Sequence, residues 1–172
     1  MSSNTSPVRP STLDKSRFCL SCAKFPTGVT IVTVLDREGG PHGLTASSFT
    51  SVSLEPPLIL VCVDHRANVL EHFRRSESLA INVLDETQQE LSVRFARRGE
   101  NRFDGVEWYP GQNGVPLIPG AIAHFECAIQ RTVDAGDHTI FIAEVLGVSC
   151  REGRPLIYYG SGYRKLEGTN GT

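Results

Sequence analysis

Residues 45–53 read TASSFTSVS, so six hydroxyl side chains fall within nine positions. Small residues let a ligand approach backbone N–H groups closely, and hydroxyls donate to phosphate oxygens, carbonyls or ring nitrogens. Such a stretch suits a polar, uncharged groove. It also suits an ordinary Ser/Thr-rich edge strand, and composition leaves both readings open. His138 follows Gly136 and Asp137, which by itself marks no more than the start of a strand. Cys19 and Cys22 form a C-x-x-C. No second cysteine pair or histidine pair follows at ligand spacing, so the pair reads as two cysteines one helical turn apart, not as a zinc knuckle.

Several chemistries have no foothold. The chain lacks the G-x-G-x-x-G dinucleotide fingerprint, the P-loop, the G-x-S-x-G nucleophile elbow and the H-E-x-x-H zinc pair. A formal charge of -2 over 172 residues, with both signs interspersed, gives no footprint for nucleic acid or an anionic membrane. No apolar run approaches a membrane span, and the polar N-terminus has no secretory signature. Five cysteines at irregular spacing argue against a disulfide framework. Cys62, Cys127 and Cys150 sit in apolar runs and are expected in the core. The expected location is the cytoplasm.

The elements that must position these residues are mostly strands. A helix is predicted over residues 11–23, with Ser11 and Asp14 as its capping box. Strands are predicted over 29–35, 58–63, 79–84, 121–133, 136–150 and 156–159. The run LILVCV at 58–63 reads as a fully buried strand. Asp85 with Gln88 marks a second helix start, with Leu91 and Phe95 on its apolar stripe, and residues 67–76 carry helical spacing. In 121–133, Ala121, Ala123, Phe125, Cys127, Ile129 and Val133 alternate with His124, Glu126, Gln130 and Thr132. Arg131 breaks the pattern. Residues 97–119 form a long loop, in which Trp108 is either a core plug or a lid. Helices do not alternate with strands, so a doubly wound sheet is excluded. The expected class is mainly β with peripheral helices, an antiparallel barrel. Residues 11–166 form one domain, between a disordered lead-in at 1–10 and a flexible tail at 167–172.

The string GLTASSFTSVSLEPPLILVCV at 43–63 resembles the signature of the short-chain flavin reductases, the reductase components of two-component flavin-dependent monooxygenases. FPTGVTIVT at 25–33, Asn68, FA at 95–96, RFDG at 102–105, GDH at 136–138 and PLIYYGSGYRKL at 155–166 match in the same order. The resemblance implies a Greek-key split β-barrel of the FMN-binding type, a homodimer, and hydride transfer from NADH or NADPH to FMN or FAD. It implies a monooxygenase partner that receives the reduced flavin. Thr45, Ala46, Ser47 and Ser48 would contact the isoalloxazine edge, and Val52 and Ser53 the ribityl-phosphate side. Cys62, Val63 and Asn68 would be further contacts, with Phe95, Ala96 and Arg102 closing over the phosphate or adenylate portion. His138 would stand where the nicotinamide docks and act in catalysis, and Tyr163 would approach the nicotinamide or flavin. Two other readings stay open on the sequence: a flavoprotein that keeps its flavin for electron transfer, and a non-enzymatic split barrel binding flavin or haem.

Overall fold

A computed structural model describes residues 13–99 and 102–166. The expected lead-in, Ser11 and the expected tail lie outside the described residues. In chain order the elements are α1 (Lys15–Cys22), β1 (Thr27–Gly28), β2 (Thr30–Leu35), β3 (Pro41–Ala46), β4 (Thr50–Leu54), β5 (Pro57–Asp64), α2 (Leu70–Arg75) and β6 (Ser78–Val83). They continue with α3 (Gln89–Ala96), β7 (Tyr109–Pro110), β8 (Pro116–Leu117), β9 (Ala123–Ala135), β10 (His138–Cys150), β11 (Ile157–Tyr159) and β12 (Gly162–Arg164).

Seven strands form one antiparallel sheet in the order β3-β2-β6-β9-β10-β5-β4. Laid flat, its edges would lie about 29 Å apart, six intervals of ~4.8 Å. Yet β3 and β4, the two edges, are joined by only residues 47–49, a link that reaches at most about 14 Å. The sheet must therefore curl until its edges nearly meet, which makes a barrel with a seam. β5 and β6 are separated in the sheet by β9 and β10 and joined by α2, the Greek-key winding. The architecture is the expected split barrel.

Two cores result. Val32, Val34, Ile59, Val61, Val63, Phe73, Leu79, Ile81, Cys127 and Phe141 fill the barrel. Val29, Ile31, Leu84, Phe95, Ile118 and Leu156 form a second cluster outside it. β2 feeds both, which is why its β-branched run is buried on both faces. β5 differs from expectation. Its burial alternates strictly, because one face lines the barrel core and the other turns to a cavity described below.

Local rules explain most element ends. The Asp85–Gln88 capping box forms with both of its hydrogen bonds. The hairpin turn between β9 and β10 is Gly136-Asp137, with Gly136 at φ +65°. Between β11 and β12, Gly160 and Ser161 both take positive φ, the combination a two-residue primed turn demands. The first helix is capped by Asp14, whose carboxylate accepts from Ser16 N at 2.8 Å, so the helix starts later than its spacing suggested. It buries none of its residues. Arg131 is exposed where β9 carries one extra residue against β10, and this bulge breaks the alternation there. His124, expected on the open face, is buried between the Ile118 carbonyl, 2.9 Å from Nε2, and Ser149 Oγ, 3.1 Å from Nδ1. Of the three cysteines expected inside, Cys127 is buried, Cys62 half-buried and Cys150 exposed. Burial pushes the Cys127 thiol up to about 12.

From residue 102 to 119 the long segment is anchored cover, not a free loop. Phe103, Val106 and Trp108 pack on the second core, which settles Trp108 as a plug. Asn82 ties this segment to the barrel: its amide donates to the Ile31 carbonyl at 3.0 Å and accepts from Ile118 N at 2.8 Å, fully buried. Asn82→Leu is expected to cost roughly 2–4 kcal/mol, since it strands a buried N–H and a carbonyl. Urea denaturation measures this, and an unshifted midpoint would refute it.

Candidate functional site

A cavity of about 340 Å³ opens at the barrel seam. That size falls within the range of small-molecule sites. Its walls come from the end of β3 and the 47–49 bend, the end of β5 with residues 66–68, the end of α3, and His138 at the start of β10. The fold thus gathers Thr45, Ala46, Ser47, Ser48, Cys62, Asn68, Phe95, Ala96, Arg102 and His138 around one space.

Two of the lining hydroxyls have partners within the protein. Thr45 Oγ1 donates to the Ser92 carbonyl at 2.6 Å. Ser48 Oγ accepts from Cys62 N at 2.9 Å and lies 3.3 Å from its carbonyl. Both side chains staple the seam, Thr45 to α3 and Ser48 to β5. What faces the cavity is therefore short side chains and the backbone of the bend. Thr50, Ser51 and Ser53 lie on β4, exposed along its whole length.

Four residues carried over by resemblance lie outside the cavity lining. Val52 and Ser53 stand on exposed β4. Val63 packs in the barrel core at 1% exposure. Neighbours in a strand face opposite ways, so Cys62 and Val63 cannot both turn to the cavity. Tyr163 packs against the second core, and its hydroxyl lies 2.9 Å from Ser92 Oγ. The Ser92 backbone carbonyl, a separate group, accepts from Thr45, so Tyr163 touches the same residue as the cavity wall without lining the cavity.

Arg102 lines the cavity but is not a free cation. It is 9% exposed. Nη1 donates to the Gly43 carbonyl at 2.7 Å and Nε to the Arg97 carbonyl at 3.0 Å. Burial holds its pKa below the usual arginine range. These two bonds make Arg102 a clamp joining β3 to the end of α3. Gly43 has no room for a side chain: a Cβ would lie 2.9 Å from the Val32 carbonyl oxygen and 3.1 Å from the Phe95 ring.

His138 pairs with Asp64 across β10 and β5, and its Nδ1 lies 2.7 Å from Asp137 Oδ1. That contact holds the Asp137 carboxyl below the usual carboxylate range. Asp64 is held well below that range by Arg66, whose Nη2 donates to Oδ2 at 2.7 Å and Nε to Oδ1 at 3.1 Å. Leu44, Asp64, Arg66, Ala67 and Arg98 complete the wall and were not singled out from the sequence. Asp64 was within reach, because it stands two residues past Cys62 on the same strand face.

This set fits a flavin. Short side chains at Ala46, Ser47 and Ser48 leave the bend backbone open to a flat ring. Arg98 supplies positive charge at the wall for a phosphate, while the charge of Arg66 is balanced by Asp64. The geometry defines a small-molecule-binding split barrel whose walls suit a flavin. A profile of the flavin reductase like domain matches residues 22–167. An NADH-dependent FAD reductase of Streptomyces globisporus is 44% identical over 150 residues, covering 83% of this chain and 80% of the relative. The FMN reductase (NADH) SmoA of Agrobacterium fabrum is 45% identical over 142 residues, covering 83% and 80%. The solved structure of the Streptomyces globisporus C-1027 NADH:FAD oxidoreductase SgcE6, in complex with NAD and FAD fragments, matches with a TM-score of 0.86 at 39% identity, over 92% of this chain and 96% of that one. Two further relatives are longer, and the chain spans 60% and 45% of them. The chain belongs to the flavin reductase-like family, and the protein is an oxidoreductase of that kind.

Proposed function

We propose that this protein is an NAD(P)H:flavin oxidoreductase that reduces FMN or FAD and supplies the reduced flavin to a partner monooxygenase. The observation that carries this reading is the seam cavity, with the 47–49 bend on one wall and His138 on another, in a chain of this family. Bound flavin supplies a hydride acceptor at N5 for the hydride of a reduced nicotinamide. The protein's part is to hold the two rings in contact and exclude misaligned poses. Ala46, Ser47 and Ser48 give a shallow backbone shelf. The Ser48–Cys62 and Thr45–Ser92 bonds keep that shelf rigid. Arg98 attracts the phosphate portion, and the Asp64–Arg66 pair fixes the wall beside it. His138 borders the open side, where its Nε2 is left to meet the nicotinamide while Nδ1 is engaged by Asp137. No acid–base pair is required, in keeping with the missing triad.

A homodimer suits the surface. β4 is exposed at all five residues, with Leu54 at 83% and Val52 at 48%. A second copy covering this edge would place Val52 and Ser53 beside the seam. Five free cysteines agree with a reducing compartment such as the cytoplasm. No described helix is long and apolar enough to cross a membrane. Relatives that are reductase subunits or components of flavin-dependent monooxygenases support the partner.

The test is steady-state oxidation of NADH and of NADPH with FMN, FAD and riboflavin compared. Turnover that requires added flavin and saturates with it is expected. Absence of nicotinamide oxidation with every flavin would refute the reading. Flavin that copurifies in equal amount and survives dilution would favour a retained prosthetic group instead.

A further inference from the structure

At the far end of β3 from the cavity, three metal-ligand side chains converge. Asp36 follows β2, His42 stands on β3 and His72 on α2. One ligand atom from each lies within 4.8 Å of the others. His42 Nε2 is 2.8 Å from Asp36 Oδ2. The two imidazoles stack with centroids 3.5 Å apart and planes 12° apart. All three are half-buried. This is the only such group among the described residues.

We propose that Asp36, His42 and His72 form a binding site for a divalent transition-metal ion of the zinc class. Two imidazoles and one carboxylate are the donor set of many three-ligand zinc sites, which leave a fourth position open. The carboxylate is built for the part. Asp36 Oδ1 accepts from Gly40 N at 2.6 Å and Glu38 N at 3.0 Å, which fixes the group and leaves Oδ2 to face His42. Such outer-shell bonds to a ligating carboxylate tune and orient metal sites. Gly40 serves the same end, since a Cβ there would sit 2.7 Å from Asp36 Oδ2. Zinc would take the place of the shared proton between His42 Nε2 and Asp36 Oδ2, a modest widening of that contact. His72 must turn about its Cβ–Cγ bond to aim a ring lone pair at the ion. It has room, because it lines a cavity of about 410 Å³ with Asp36, Glu38 and Glu77, alongside Arg37 and Arg75. That cavity shares no residue with the seam cavity.

The ion would clamp the β2–β3 hairpin to α2. β3 runs on to Thr45 and Ala46, and α2 follows Ala67 and Asn68, so both clamped elements lead directly into the walls of the seam cavity. The ion would thus act as a clamp between elements, and the site holds whatever the reaction proves to be.

The test uses the full chain stripped with a chelator and titrated with zinc sulfate alone. One zinc per chain is expected, with an unfolding midpoint raised by roughly 5 °C at saturation. Asp36→Asn and His72→Gln should each weaken binding by about 100-fold. The double variant Cys19→Ser/Cys22→Ser should leave it unchanged, which separates this site from the exposed C-x-x-C. Cobalt substitution in the unaltered chain gives an answer that needs no variant. Ligand-field bands without thiolate charge transfer support the site, and thiolate charge transfer overturns it. No zinc bound at micromolar concentration, or binding lost in the cysteine variant and kept in His72→Gln, also overturns it.

Discussion

His138→Ala is expected to lower nicotinamide-driven flavin reduction by roughly 100-fold, the scale at which small misplacement of reactants costs rate, while flavin affinity changes little. The argument runs from the turn upward. Gly136 and Asp137 close a two-residue hairpin, so His138 is the first residue of β10 and cannot swing far. Its Nδ1 is engaged by Asp137 at 2.7 Å, which leaves Nε2 as the ring nitrogen available to a ligand in the cavity that His138 lines. The flavin shelf is held by other bonds, at Ser48 and Thr45, so the alanine variant should keep its flavin site. Asp137 has its pKa depressed by the His138 bond; its contribution is therefore present above the ordinary carboxylate pKa and is lost only as pH falls through the lower folded value. Stopped-flow nicotinamide oxidation with a separate flavin titration separates rate from binding. An unchanged rate would remove His138 from the mechanism.

Arg102→Met is expected to cost roughly 2–4 kcal/mol of stability and to weaken flavin binding with it. Methionine keeps much of the packed stem. It leaves the Gly43 and Arg97 carbonyls without their donors, at a site only 9% exposed. Gly43 sits one residue before the cavity lining begins at Leu44, and Arg97 one before Arg98, so loosening the clamp moves two walls at once. Arg102→Lys should not restore the loss. A single ammonium cannot serve two carbonyls through the forked geometry of a guanidinium. Urea denaturation and flavin fluorescence quenching report the two effects. A variant that keeps its stability and loses only flavin affinity would return Arg102 to the role of a direct phosphate contact.

The barrel was largely legible because strand signals are local. Period-two burial, the Gly136-Asp137 and Gly160-Ser161 turns, and the Asp85–Gln88 box each depend on a few adjacent residues, and each formed as its chemistry dictates. The sequence could not reveal where a hydroxyl or guanidinium would spend its hydrogen bonds. Thr45 finds Ser92 47 positions away, and Arg102 finds Gly43 59 positions away. Arg131 sits beside a bulge in the β9–β10 ladder that nothing local marks, and His124 keeps its expected face, which the Ile118 region covers from far along the chain.

By itself, then, the sequence determined an antiparallel β-barrel and a family resemblance that gathered a hydroxyl-rich bend and a GDH histidine into one site. The tertiary structure decided which atoms of that site are free. It turned the Thr45 and Ser48 hydroxyls and the Arg102 guanidinium inward as staples. It left short side chains, the bend and His138 to face the cavity. The physical reason is that the seam brings together polar backbone groups of distant strands, and buried polar groups take the nearest donor the fold provides before any ligand can.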